Sequence, residues 1–153
     1  MMHKVSFRSD PRWQCQAPAL KRAALQSLQH LSAANGMITV VLTDREAIRD
    51  LNRTFAGEDH ATDVLSFSDG SIDLETGQQY FGDVIIAVDI AQQQAEQAGH
   101  PLKSELVLLT VHGVLHLLGY DHASEGEKQK MWSQQHEIIA SLGINLPQSQ
   151  DPG

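Results

Sequence analysis

Cysteine is almost missing from this chain: Cys15 stands alone among 153 residues, so no internal disulfide can form and nothing in the cysteine usage asks for an oxidising compartment. Long apolar runs are missing too, none approaching the roughly 18 residues that a membrane-spanning helix needs. The opening Met1-Met2-His3-Lys4-Val5-Ser6-Phe7 lacks the extended apolar segment and small-residue cleavage site of a secretory signal. The cytoplasm is therefore the expected compartment, and no membrane partner is expected. Cys15 has no His or second Cys at a catalytic or metal-ligand spacing, and it reads as a thiol without a role.

Basic charge is scarce, with a net charge of −8. That balance argues against a protein gripping nucleic acid mainly through a basic surface, because phosphate neutralisation needs clustered Lys and Arg. The distribution is uneven. Lys4, Arg8, Arg12, Lys21, Arg22, Arg45, Arg49 and Arg53 face four acids in the first 53 positions, a balance of +4. Residues 54–102 hold nine acids and no Lys or Arg, giving −9, and the remainder gives −3. A polyanion can still be met by the N-terminal third if folding gathers those cations on one side of a site; the alternative is that they are simply solvated.

The length and a 41% hydrophobic content suit one domain, taken as residues 1–146, with a polar tail over 147–153 expected to be disordered. A strand fits Lys4 to Phe7. Apolar residues at helical spacing (Leu20, Ala24, Leu28, Leu31) predict a helix from Ala19 to Ala33, closed by Gly36. Ile38 to Leu42 reads as a buried strand, and Thr43 with Glu46 reads as a capping box opening a helix through Ile48, Leu51 and Phe55 that stops near Gly57. Strands fit Val64 to Phe67 and Gly82 to Val88, with an acidic loop from Asp69 to Gly77 between them. Helices follow over Asp89 to Ala98 and Lys103 to Leu118, and a last one is opened by Ser124 with Glu127. The sum is an α+β domain, a small mixed four-stranded sheet packed with about five helices.

Chemistry concentrates in His112-Gly113-Val114-Leu115-His116-Leu117-Leu118-Gly119-Tyr120-Asp121-His122. Residues four apart on a helix project from nearly the same side one turn along, so the imidazoles of His112 and His116 can converge. Gly119 stands where the helix would end, since a residue tolerant of positive φ reverses the chain cheaply, and the reversal can return His122 to the pair. Three neutral imidazoles around one Zn²⁺ leave a fourth position for water, which marks a catalytic rather than a closed structural zinc. The host helix is apolar nearly all round and must be buried, so unpartnered histidines there would carry a desolvation cost that a metal, or another hydrogen-bond partner, relieves. The expected site is thus a zinc site in a cleft at the end of a buried helix. Asp121 either orients a ligand imidazole or serves the turn. His3, His30, His60, His100 and His136 have no partner at ligand spacing and read as surface or satisfied histidines.

This spacing is also that of metzincin proteases, whose motif sets a Glu directly after the first His as general base; here Gly113 occupies that position, so a peptidase ranks second. The full string instead resembles the signature of the YbeY family of bacterial endoribonucleases. Leu51-Asn52-Arg53-Thr54-Phe55 followed by Thr62-Asp63-Val64-Leu65-Ser66-Phe67 resembles that family's helix-loop-strand segment, and Gly82-Asp83-Val84-Ile85-Ile86 its next strand. The resemblance implies a zinc-dependent endoribonuclease of single-stranded RNA, acting with the small ribosomal subunit in ribosomal RNA maturation, including the 3′ end of small-subunit RNA, and in ribosome quality control. One departure stands out: many members carry an Arg directly after the helix aromatic, held to be important for cleavage, whereas this chain has Ala56. An Arg there supplies a fixed cation for phosphate, and Arg53, one turn earlier, is the candidate substitute. The same gap leaves open a third reading, a non-catalytic ribosome-assembly factor holding a structural metal.

Overall fold

The element pattern is seen directly in a computed structural model, which describes residues 3–144 and 146. Strand β1 (His3–Arg8) alternates strictly: Val5 and Phe7 pack on the core while Lys4, Ser6 and Arg8 face solvent, the period-two signature of a half-buried edge strand. Strands β2 (Gly36–Thr43) and β4 (Gln79–Ala87) form the buried centre, and β3 (Val64–Ser68) closes the other edge. The order is β1-β2-β4-β3, with β2 parallel to both neighbours and β3 antiparallel to β4. The fold is the expected α+β arrangement of a mixed four-stranded sheet and five α-helices.

Alternation along β4 sorts the two faces of the sheet. Val84 and Ile86 enter the main core, packed by helices α1 (Ala17–His30) and α4 (Leu102–Leu117); Ile85 and Ala87 face the other way into a smaller cluster under α2 (Arg45–Ala56). Helix α3 (Val88–Ala98) packs beside α4, and α5 (Glu125–Ser141) covers α4 from outside. Every residue of α4 from Glu105 to Leu115 is buried. Leu106, Leu109, Val111, Val114 and Leu115 are fully enclosed, each worth about 1.5–3 kcal/mol relative to exposure, so α4 is the post around which the other layers assemble.

Several local expectations need correcting. Helix α2 is capped by Asp44, whose carboxylate accepts the Ala47 N–H at 2.8 Å, and not by Thr43, which ends β2. A carboxylate is a strong acceptor and favours a helix N-terminus, so Asp wins the position over its neighbour. Helix α1 ends at His30, with Ser32 at φ 53, rather than at Gly36. Gly36 instead opens β2, where the Phe81 ring lies so close that no Cβ fits. Between β1 and α1, Pro11–Gln16 forms a 3-10 helix capped by Asp10. The tail expected over 147–153 lies outside the described residues.

The cap assignment is directly testable. Asp44→Ala is expected to lower unfolding free energy by about 0.5–2 kcal/mol, with Thr43→Ala well below that, measured by urea denaturation. Equal losses would return the cap to Thr43.

Candidate metal centre

The local sequence of α4 forces its histidines together at its C-terminal end. His112 and His116 are four residues apart, and their Nε2 atoms stand 3.1 Å from one another. The helix stops at Leu118, Gly119 takes φ 97, and the Tyr120 N–H returns to the Leu115 carbonyl at 3.0 Å, so the chain doubles back as the spacing predicts. His122 comes home: its ring centroid is 5.3 Å from that of His116 and 6.3 Å from that of His112, while the helix pair is at 4.6 Å.

Whether this trio suits an ion is a matter of geometry. Nitrogens about 2.0–2.1 Å from a tetrahedral zinc lie about 3.3 Å from one another, with ring centroids about 5 Å apart. The helix pair meets the first value, and the three centroid spacings bracket the second. Among the described residues no three His, Cys, Asp or Glu side chains are close enough to hold an ion as they stand. His122 lies on the exposed turn that follows the helix. Three imidazole donors are the chemistry that a zinc ion takes, and the 3.1 Å separation of the helix pair is compatible with it.

The buried pair is prepared chemically as well. His112 is only 2% exposed, and its Nδ1 is 3.1 Å from the Gln135 side-chain oxygen on α5. With Nδ1–H donating to that amide oxygen, the lone pair of Nε2 is left facing His116. Burial pushes the His116 imidazole below its ordinary pKa, and His122 pushes the same way, against opposing effects of Asp121 and a backbone hydrogen bond to Tyr120. Two Nε2 atoms at this separation share either a proton or a cation, and the lowered basicity of His116 favours the metal-competent neutral ring.

Gly113 settles a point of substrate chemistry. A Cβ there would run into Val84 of β4, and Ser66 Oγ of β3 donates to the Gly113 carbonyl at 3.0 Å, so the sheet occupies the space beside the helix. The carboxylate that the peptidase reading requires directly after the first His has no room at this position.

The remaining candidates are placed as follows. Asp121 accepts the His122 N–H at 2.7 Å, so its carboxylate serves the turn that carries His122. Arg53 is exposed on α2, 2.8 Å from Asp50 and 3.9 Å from Asp59, and Arg49 meets the same Asp59 at 2.8 Å. Ala56 is the last residue of α2, exposed, before Gly57 at φ 71. The other histidines are engaged elsewhere: His3 with the Ala33 and Ala34 carbonyls, His30 with Glu137, His60 with Glu58, His100 with Glu105, and His136 edge-on to Trp132. The residue missed from sequence is Gln135. The available signal was a polar side chain on the buried face of α5, among Met131, Ile138 and Ile139.

Gln135→Met keeps the side-chain volume and removes the acceptor, leaving His112 Nδ1 buried without it. A loss of about 1–3 kcal/mol in unfolding free energy is expected by urea titration. A variant as stable as the parent would show that another group satisfies the ring.

Comparison with known proteins agrees over most of the chain. The family described as Endoribonuclease YbeY matches residues 8–143. Endoribonuclease YbeY of Persephonella marina is 42% identical over 124 residues, covering 80% of this chain and 81% of that protein. The proteins of the same name from Bacillus licheniformis and Aquifex aeolicus are each 39% identical, over 130 and 122 residues, covering 77% and 80% of this chain and 82% and 80% of theirs. The solution structure of TM1509 from Thermotoga maritima matches with a TM-score of 0.53 at 22% identity, over 98% of this chain and 97% of that one, a likeness of fold.

Proposed function

The chain belongs to the YbeY family, and on that premise we propose that it is a zinc-dependent endoribonuclease that cleaves single-stranded RNA in the cytoplasm. On this reading it matures ribosomal RNA, including the 3′ end of small-subunit RNA, works with the small ribosomal subunit, and takes part in ribosome quality control. The observation that carries the catalytic part is the convergence of His112, His116 and His122 at the end of a buried helix.

These three imidazoles would hold the ion. The chemistry it supplies when bound is polarisation of a phosphoryl oxygen or acidification of a water molecule. The chain's own contribution is organisation. Gln135 sets the tautomer of His112, burial keeps His116 neutral, and the turn through Gly119 and Asp121 presents His122.

Initial rates on a single-stranded ribosomal RNA fragment test the proposal. The zinc-loaded chain is expected to cleave, chelator to abolish cleavage, and added zinc to restore it, while His116→Ala is expected to lose at least 100-fold. Intact RNA with full zinc occupancy, or a His116→Ala variant as active as the parent, would remove the enzymatic reading.

One observation favours a second reading, a non-catalytic assembly factor: the side chain that follows Phe55 is a methyl group, and Arg53, the nearest cation of the same helix, is already engaged by two carboxylates. Ala56→Arg separates the two. If only the phosphate clamp is lacking, the variant gains on the order of 10-fold or more in cleavage rate; a rate of zero in both proteins favours the assembly factor.

A further inference from the structure

Three large apolar side chains are exposed among the described residues, Phe55, Ile72 and Leu74. Ile72 and Leu74 belong to the loop between β3 and β4, among Asp69, Asp73 and Glu75, a setting that repels phosphate. Phe55 differs. It continues the stripe of Ile48, Leu51 and Asn52 by which α2 packs on the sheet, so its position on the helix predicts burial. It nevertheless remains 68% exposed. Edge strand β3 meets it through Phe67, edge-to-face with ring centroids 5.5 Å apart at 71°. That contact fixes the orientation of Phe55 while leaving ring surface open. Left-handed Gly57 then ends the helix, so the ring is carried on a rigid terminus.

On the other face of β3 lies α4, the helix that carries His112 and His116. Ser66, its chain neighbour, points to the other side of β3 and bonds the Gly113 carbonyl next to His112. The open ring and the imidazoles therefore flank a single edge strand. On the same helix Arg53 pairs with Asp50 and Arg49 with Asp59, so the open ring itself is the feature left for a ligand. An exposed aromatic face is what an unpaired nucleobase stacks on.

The geometry points to Phe55 as a stacking platform for an unpaired nucleobase of the RNA strand that crosses β3 to reach the histidines. This rests on the endoribonuclease reading and adds to it a substrate-positioning residue and a physical basis for single-strand preference, since a base locked in a duplex has no free face to offer. The bound strand is held by any base, because every base has a π-face.

The test uses the zinc-loaded full chain and a short single-stranded RNA, measured as KM for cleavage and as quenching of 2-aminopurine placed near the scissile bond. Phe55→Leu, which keeps an apolar side chain but no ring, and Phe55→Ala are expected to raise KM roughly 5- to 150-fold and to abolish the quenching, while Phe55→Trp restores both. The exposure of Phe55 makes these variants safe for folding, which a thermal melt checks. If the parent cleaves and Phe55→Leu matches it in KM and quenching, the stacking role is overturned and the exposed ring is left for a protein partner. If the parent neither binds nor cleaves RNA, the endoribonuclease reading falls and the stacking role falls with it.

Discussion

The organisation of this molecule depends on burying an imidazole, that of His112, inside an apolar helix. Helix α4 earns its central place by enclosing Leu106, Leu109, Val111, Val114 and Leu115, and that same enclosure strips water from His112. A dry imidazole needs a partner on each nitrogen. Gln135 provides one from α5, and His116, one helical turn away, faces the other. The hydrophobic packing and the polar pair are therefore one constraint, because neither α4 nor α5 can shift along the other without breaking the His112–Gln135 bond. Gly113 adds the third side: without a side chain it lets β4 approach, so that Val84 and Ser66 fix the height of the helix over the sheet.

Residues resembling the family's second segment acquire physical roles from the same scaffold. Asn52 is buried in α2 and donates to the His60 carbonyl at 3.1 Å, tying the helix to the loop that leads into β3. The Asp63 carbonyl accepts the Ala87 N–H at 2.9 Å, and the Asp63 carboxylate accepts from Gln94. Ser66 then holds β3 to α4. These bonds run from α2 through the loop to the edge strand and end beside His112. They keep α2 in register with the end of α4 that carries His112 and His116, although about sixty residues separate the two in sequence.

Helical periodicity, β-branched runs and one continuous apolar stretch located the strands and α-helices of the described residues, since burial repeats at 3.6 on α1 and α2 and at 2 on β1, while α4 is buried nearly all round. The Gly119 reversal and the approach of His122 were legible for a similar reason, being consequences of spacing within eleven consecutive residues. What stayed hidden depends on tertiary neighbours. Choosing Asp44 over Thr43 as cap requires knowing where β2 ends, and the tight seat of Gly36 requires the Phe81 ring from a distant strand. Gln135 reads on its own as one more polar residue in a helix of many. The exposure of Phe55 reversed what its stripe predicted, because periodicity states which side of a helix is apolar and not how far the sheet beneath it extends.

The two halves of the site therefore answer to different rules. The metal-facing half is made of α4, one turn and α5, consecutive in sequence and locked by packing, so its geometry is set wherever this stretch folds on a sheet. The substrate-facing half lies at the end of α2, on the exposed flank of an edge strand, where Ala56 and Phe55 contribute little to the core. Substitution there costs little stability, whereas substitution at Gly113 or His112 disturbs the packed centre. The fold thus permits cation grip and substrate handling to vary independently. A chain with all three histidines and a changed helix end is then a physically coherent combination: His112 is bound up with the packing of the core, and the residues that end α2 are ones the core does not constrain.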